Sequence, residues 1–366
     1  MPGGGNSLEK VLPPGSFINN IISAAKTALL SGSQAREYQK NIETTFKTQR
    51  IMNLRNKILI TLFALGTIFW GCDSLIFDDL SDCPQGVYVK FYSMTPCASD
   101  STFIGSVASL TLFAFDENEK LVTSVTQNNV TLSRDYTVLI PVSDGNFTFL
   151  AWAGIDDKFI LSSFTNGTTT KKDVMLTLKS TSGVAANLKG TKVWQGESPA
   201  VHLPNPAETA SFYEYTAVNL QEVTNRLELI VEFDKATMKD YDLQKIQAEV
   251  SSGNGILKID GSMPPKQTSL AYPSSDATFN DNVATWHYNL LDLKTGYDNK
   301  LNIFYGDLIA MILLAAQNGQ ANLDCDNDFT VKVVVKDYCV ECWTHFSCSI
   351  YVNDWLVHSY STDLGF

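Results

Sequence analysis

Residues Arg226–Phe233 read Arg-Leu-Glu-Leu-Ile-Val-Glu-Phe, and this alternation limits the folds open to the chain more than any other feature. Leu227, Leu229, Val231 and Phe233 fall on one face of an extended strand, with Arg226, Glu228, Ile230 and Glu232 on the other. A helix would scatter the same apolar side chains around its circumference, so the reading is a half-buried strand. The period recurs at Val331, Val333 and Val335, which oppose Lys332 and Lys336. Leu110 and Leu112 alternate with Thr111 and Phe113, ahead of the polar turn Asp116-Glu117-Asn118-Glu119 and Leu121-Val122. Period two begins at Val87. Further strands are predicted over Tyr136–Val142, Phe147–Ala153, Val174–Leu178, Ile256–Ile259, Thr285–Leu291, Leu301–Tyr305, Phe329–Val335 and Cys348–Val352. Turn signals separate them at Asp144-Gly145-Asn146, Ser252-Gly253-Asn254-Gly255 and Pro264-Pro265. Two weak helices are predicted, Lys235–Gln244 and Asp307–Gln317. Many short strands with no strand-helix repeat point to an all-β chain of antiparallel β-sandwiches. The natural boundary between two such domains falls near residues 218–226, giving 86–222 and 223–366.

Upstream of the strands lies Met52-Asn-Leu-Arg-Asn-Lys-Ile-Leu-Ile-Thr-Leu-Phe-Ala-Leu-Gly-Thr-Ile-Phe-Trp-Gly-Cys72. Arg55 and Lys57 make a basic start, and Ile58–Trp70 is a charge-free, mostly apolar run. A spanning helix needs about 20 apolar residues, so this run suits a signal-peptide core and not a membrane span. Gly71-Cys72 closes it with the small residue and cysteine at which bacterial lipoproteins are lipidated and cut, although Phe69 and Trp70 depart from the usual lead-in. The alternative is a buried core segment with a chance cysteine. The expected organisation is a lipoprotein signal peptide over 52–71 and a lipidated tether over 72–85. No cofactor is expected, only covalent diacylglycerol and an N-acyl chain on Cys72. Each buried methylene would contribute about 0.8 kcal/mol, and more than one chain makes the anchor stable. Residues 1–51 precede this signal and are expected to be a gene-start artefact or a disordered extension.

Residues 1–71 hold eight of the 27 basic and three of the 39 acidic residues, so the remainder carries a net −17. Such a balance argues against nucleic acid, which demands clustered Lys and Arg. About 290 residues remain after processing, room for two domains.

The exported location permits disulfides, and Cys83, Cys97, Cys325, Cys339, Cys342 and Cys348 are candidates with fifteen possible pairings. Cys339, Cys342, His345 and Cys348 also form a tetrahedral zinc ligand set, but their period of three does not suit one face of a strand, so no metal is expected. Asp324, Asp326 and Asp328 imitate a calcium loop that lacks the glycine at position six and the glutamate at position twelve. His202, His287, His345 and His358 are scattered, and no nucleophile elbow, zincin motif or P-loop is present. A catalytic site is not expected. Trp152, Trp194, Trp286, Trp343 and Trp355 could stack on sugars, but sandwich cores use the same residue type for its apolar area.

The segment Asp79-Leu-Ser-Asp-Cys-Pro-Gln-Gly-Val-Tyr-Val-Lys-Phe-Tyr92, following a lipobox cysteine, resembles the FimB-like family of fimbrial anchor lipoproteins. Echoes are Phe115-Asp116, Ala151-Trp152-Ala153-Gly154, Val193-Trp194-Gln195-Gly196 and Asn353-Asp354-Trp355, which spread the resemblance over the mature chain. The Cys339–Cys348 cluster is outside that pattern. The resemblance implies two tandem transthyretin-like Greek-key β-sandwiches on an outer-membrane lipid anchor. It also implies a surface-exposed, non-catalytic role at a fimbrium, with fimbrial shaft subunits as partners joined by β-strand addition. The C-terminal strand Cys348–Ser359 is the expected place of that joining. The competing readings are a surface glycan-binding lipoprotein or tip adhesin, and a metal-dependent enzyme at the cysteine cluster.

Overall fold

The computed structural model describes residues 80–238, 241–294, 296–314, 325–337, 346–353 and 355–362, with 346 and 355–362 described through their backbone only. The chain enters through a 3-10 turn, Leu80–Asp82, into β1 (Gln85–Tyr92), β2 (Gly105–Asp116), β3 (Leu121–Leu132), β4 (Thr137–Ile140), β5 (Gly145–Ala153) and β6 (Phe159–Leu161). There follow β7 (Met175–Leu178), β8 (Ser180–Thr181), β9 (Val184–Ala185), β10 (Trp194–Glu197) and β11 (Val201–Leu203). A single helical turn, α1 (Pro206–Thr209), precedes β12 (Phe212–Asn219) and β13 (Gln221–Glu222). The second half holds β14 (Thr224–Phe233), β15 (Ile246–Ser252), β16 (Ile256–Lys258), β17 (Leu270–Tyr272), β18 (Ser274–Asn280) and β19 (Val283–Leu291). It continues with β20 (Lys300–Tyr305), β21 (Asp307–Leu313), β22 (Asp328–Asp337), β23 (Phe346–Val352) and β24 (Trp355–Thr362). The all-β expectation holds.

The strands build five sheets: β12-β1-β4; β13-β10-β5-β2-β3 with β11 on β5; β18-β19-β14-β22-β23-β24; β21-β20-β15-β17-β9-β8; and β16-β7-β6. Most neighbours are antiparallel. The parallel pairs, β1 with β12, β14 with β22 and β17 with β9, depart from the purely antiparallel expectation. Each joins segments far apart in the chain, as parallel pairing requires.

One core lies between the first two sheets. Val87, Val89 and Phe91 of β1 and Ile140 of β4 meet Leu110, Leu112 and Ala114 of β2 and Phe149 and Ala151 of β5. The other face of β2 and β5 is buried as well, because Phe113, Phe115, Leu150 and Trp152 join the second core. That double burial is why both strands carry near-continuous apolar runs and not clean alternation. The second core is lined from one sheet by Leu227, Leu229, Val231 and Phe233 of β14 with Val331, Val333 and Val335 of β22. Ile246, Val250, Leu301 and Ile303 come from the facing sheet. The four apolar side chains on the inward face of the opening stretch are thus buried, as its period demands. Burial of this kind contributes about 1.5–3 kcal/mol per large aliphatic side chain.

Two helix expectations fail. Within Lys235–Gln244 the described residues form a turn, in which Asp234 Oδ1 accepts from Ala236 N at 2.9 Å, and Asp242 then caps a 3-10 turn at Leu243–Lys245. Short acidic side chains that take backbone donors in this way compete with helix formation. Asp307–Gln317 begins instead with β21, paired with β20 from Lys300↔Leu313 to Tyr305↔Asp307 with a register shift between Ile303 and Phe304. Hydrogen bonds to a distant strand override a run whose apolar residues carry no clear period.

Candidate assembly surface

The sheet β18-β19-β14-β22-β23-β24 ends in two edges that differ in charge. At β18 (Ser-Ser-Asp-Ala-Thr-Phe-Asn) the register shifts between Ser274 and Asp276, and Ser275 Oγ donates to His287 O at 3.0 Å. Asp276 Oδ1 lies 2.5 Å from His287 Nδ1, and its Oδ2 meets Lys189 Nζ at 3.3 Å. The hydrogen bond with His287 holds the Asp276 carboxyl below the usual carboxylate range. A bulge and a charged side chain are the devices by which natural edge strands refuse further pairing.

At the opposite edge, β24 reads Trp-Leu-Val-His-Ser-Tyr-Ser-Thr and contains no Asp, Glu, Lys, Arg or Pro. Its backbone pairs with β23 from Phe346↔Thr362 to Val352↔Trp355, with a register shift between Ile350 and Tyr351, and no described strand covers its outer side. The turn into it is set by Asn353, at φ 46°, whose Oδ1 accepts from Thr330 N at 3.0 Å. The facing sheet ends close by in β21. Leu308, Met311 and Leu313 stand there 42%, 51% and 47% exposed, and Ile309 O receives the Cys348 thiol at 3.7 Å. The β21 edge was not legible beforehand. Its signal is the uncharged run after Asp307, whose sequence suits a helix equally well.

At the mid-chain junction one guanidinium gathers two carboxylates. Arg226 Nε and Nη2 donate to the two Asp328 oxygens at 2.5 and 2.9 Å, and Nη1 donates to Glu222 Oε1 at 2.5 Å. Lys192 Nζ lies 3.6 Å from Glu222 Oε2. The bond from Arg226 holds the Asp328 carboxyl below its ordinary range, and the guanidinium itself is raised by its two carboxylates. Asn327 Nδ2 donates to Glu222 O and Thr224 O, which ties the entry of β22 to the entry of β14. Asp328, named from the calcium-like run, therefore serves an ion pair.

Cys72, Cys339, Cys342 and His345 lie outside the described residues, as does Asp324. Among the remaining cysteines, Cys97 and Cys325 form a disulfide with Cα atoms 5.7 Å apart, and Cys83 is buried. Cys348 is fully buried on β23, and burial pushes its thiol up to about 11. Trp152 and Trp286 are core residues and offer no ring to a sugar. The motifs Ala151–Gly154 and Val193–Gly196 meet as paired strands, with Trp194 opposite Ala153, Gln195 opposite Trp152 and Gly196 opposite Ala151. Gln195 then donates to Ile259 O of the second half at 2.6 Å.

The sequence profile of the fimbrillin-A associated anchor proteins Mfa1 and Mfa2 matches residues 80–361. The chain belongs to this anchor family. Membership places it among structural fimbrial proteins, not enzymes, in agreement with the fimbrial-anchor resemblance. It is 33% identical over 326 residues to the minor fimbrium anchoring subunit Mfa2 of Porphyromonas gingivalis, a match that takes in 86% of this chain and 98% of that protein. The solved structure of the fimbrial anchor protein Mfa2 from the same organism superposes with a TM-score of 0.69 at 32% identity, over 76% of this chain and 100% of that one. A Bacteroides thetaiotaomicron structure described as a putative polysaccharide binding protein shares the fold, with a TM-score of 0.60 at 21% identity over 77% of this chain and 99% of its own.

Proposed function

We propose that this chain is an anchoring subunit of a surface fimbria. Acyl chains on Cys72 hold it in the outer membrane, and a neighbouring fimbrial subunit joins by adding a strand at the open β24 edge. The likeness to the Porphyromonas gingivalis anchoring subunit along nearly its whole length carries the reading. The contrast between the two edges of the sheet supports the place of joining: both β18 and β24 carry a register shift, but β18 also holds the charged Asp276, whereas β24 has no Asp, Glu, Lys, Arg or Pro and is left uncovered among the described residues. An incoming strand would take its register from alternating apolar side chains and its hold from main-chain hydrogen bonds. The work is mechanical, so no reacting group is required.

Two experiments test the two halves of this proposal. Palmitate labelling with a Cys72→Ala control, combined with protease accessibility on whole cells, tests the anchor; an unlabelled wild-type chain defeats it. Removal of residues 353–366 tests the edge. If the truncated protein keeps its β-sheet circular dichroism and shaft subunits still attach, β24 is not the joining strand.

A further inference from the structure

The outward face of the sheet β12-β1-β4 carries side chains that the assembly reading does not use. Leu139, Tyr88 and Tyr215 lie side by side across the three strands, and Tyr213 sits one step along β12. The Tyr88 and Tyr215 rings are stacked with centroids 5.2 Å apart, and Tyr213 tilts against Tyr88 at 5.8 Å. Tyr215 is 66% exposed, Leu139 41% and Tyr213 39%. Gly86 lets the cluster close up, since a Cβ there would stand 2.9 Å from Leu139 Cδ1. The next row is Thr137, Lys90 and Ala217. None of the outward residues of these strands is acidic, because Glu214 shares the core-side face with Thr216 and Val218.

We propose that this tyrosine face rests on the lipid surface beside the anchor; the inference depends on lipidation at Cys72. Only 12 residues separate Cys72 from the start of β1 at Gln85, a tether of at most about 45 Å, and Tyr88 follows at once. The face is thus confined near the bilayer. Its composition fits that place: tyrosine combines an apolar ring with a polar hydroxyl and is enriched at membrane–water interfaces. Charge points the same way. The chain after residue 71 carries −17, which anionic headgroups repel, whereas this face presents Lys90 and no carboxylate. A saccharide platform would need directional polar side chains around the rings. The amide available, Asn219, is engaged with the backbone N and O of Met94 at 2.9 Å each.

The test is tyrosine-selective chemical labelling read by mass spectrometry. The lipidated full chain is bound to vesicles of phosphatidylethanolamine with a minority of phosphatidylglycerol, and compared with the Cys72→Ala chain in solution. Labelling of Tyr213 and Tyr215 is expected to fall several-fold on the vesicles, while Tyr351 on β23 stays unchanged. If the lipidated chain fails to sediment with vesicles, the anchor is wrong and the proposal falls with it. If it sediments and Tyr213 and Tyr215 label as in solution, the anchor stands and the proposal alone is overturned. Protection of Tyr213 and Tyr215 in the lipidated chain by soluble glycans or by a shaft subunit, with none on vesicles alone, also overturns it.

Discussion

Gly196 on β10 lies flush against Asn219 at the end of β12, so that a Cβ built on the glycine would stand 2.1 Å from the Asn219 carbonyl oxygen and 2.8 Å from Val218 Cγ1. Neither backbone can retreat alone. Gly196 is paired with Ala151 of β5, and Asn219 with Tyr92 of β1. Gly196→Ala is therefore expected to destabilise the fold by about 1–3 kcal/mol, the range for forcing extra atoms into a packed interior. Urea unfolding checks this, and an unchanged midpoint would show that the two sheets are free to separate.

Arg226→Met is expected to cost about 1–3 kcal/mol, between the values for exposed and buried ion pairs. The Glu222 side chain is only 11% exposed and would lose its nearer cation, keeping only Lys192 at 3.6 Å. Adding Glu222→Gln to that variant should restore part of the loss. A double-mutant cycle by chemical denaturation measures the coupling, and strict additivity would show that the two groups act independently.

The same cluster sets a pH dependence. The Asp328 carboxyl is held below its ordinary range by the bond from Arg226, so the folded chain binds its proton less readily than the unfolded chain. The sign follows: ionised Asp328 contributes stability above the unfolded value near 3.9, and that contribution is lost as pH falls through the lower folded value. Asp276, lowered by its bond with His287, acts in the same direction. Unfolding midpoints recorded through the acid range should fall less steeply for Asp328→Asn than for the wild type. Parallel slopes would remove the ion pair from the acid response.

The Cys97–Cys325 bridge spans a sequence separation of 228, a long loop to close in the unfolded chain. Its removal by Cys97→Ala with Cys325→Ala is expected to cost about 2–4 kcal/mol. Reductant should lower the unfolding midpoint of the wild type and leave that of the double variant unmoved. Equal sensitivity of the two would place the effect at another bridge.

Much of the strand map was legible because its causes are local. The buried rows at Leu227–Phe233 and Val331–Val335 announce themselves through period two, and Asp116 ends β2 at a polar turn, where its side chain accepts from Asn118 N and Lys120 N. Of the candidate assembly surface, β23 and the start of β24 were legible as a terminal strand region. The β21 edge was not, since an unbroken apolar run does not say which hydrogen-bond partner it will meet. The tyrosine face was equally hidden. Tyr88 lies far in sequence from Tyr213 and Tyr215, and only the parallel pairing of β1 with β12 makes them neighbours.

By itself the sequence determined the all-β character, the sidedness of the main strands, an acidic chain and a kinship with fimbrial anchors, because alternation, turn residues and motifs act over a few neighbouring positions. Tertiary structure alone decided that β2 and β5 are covered on both faces, that Ala151–Gly154 meets Val193–Gly196, that Cys97 is bridged to Cys325, and which strands lie at the sheet edges among the described residues. Those outcomes depend on satisfying backbone hydrogen bonds and burying apolar faces between segments far apart in the chain, and no local pattern records the partner.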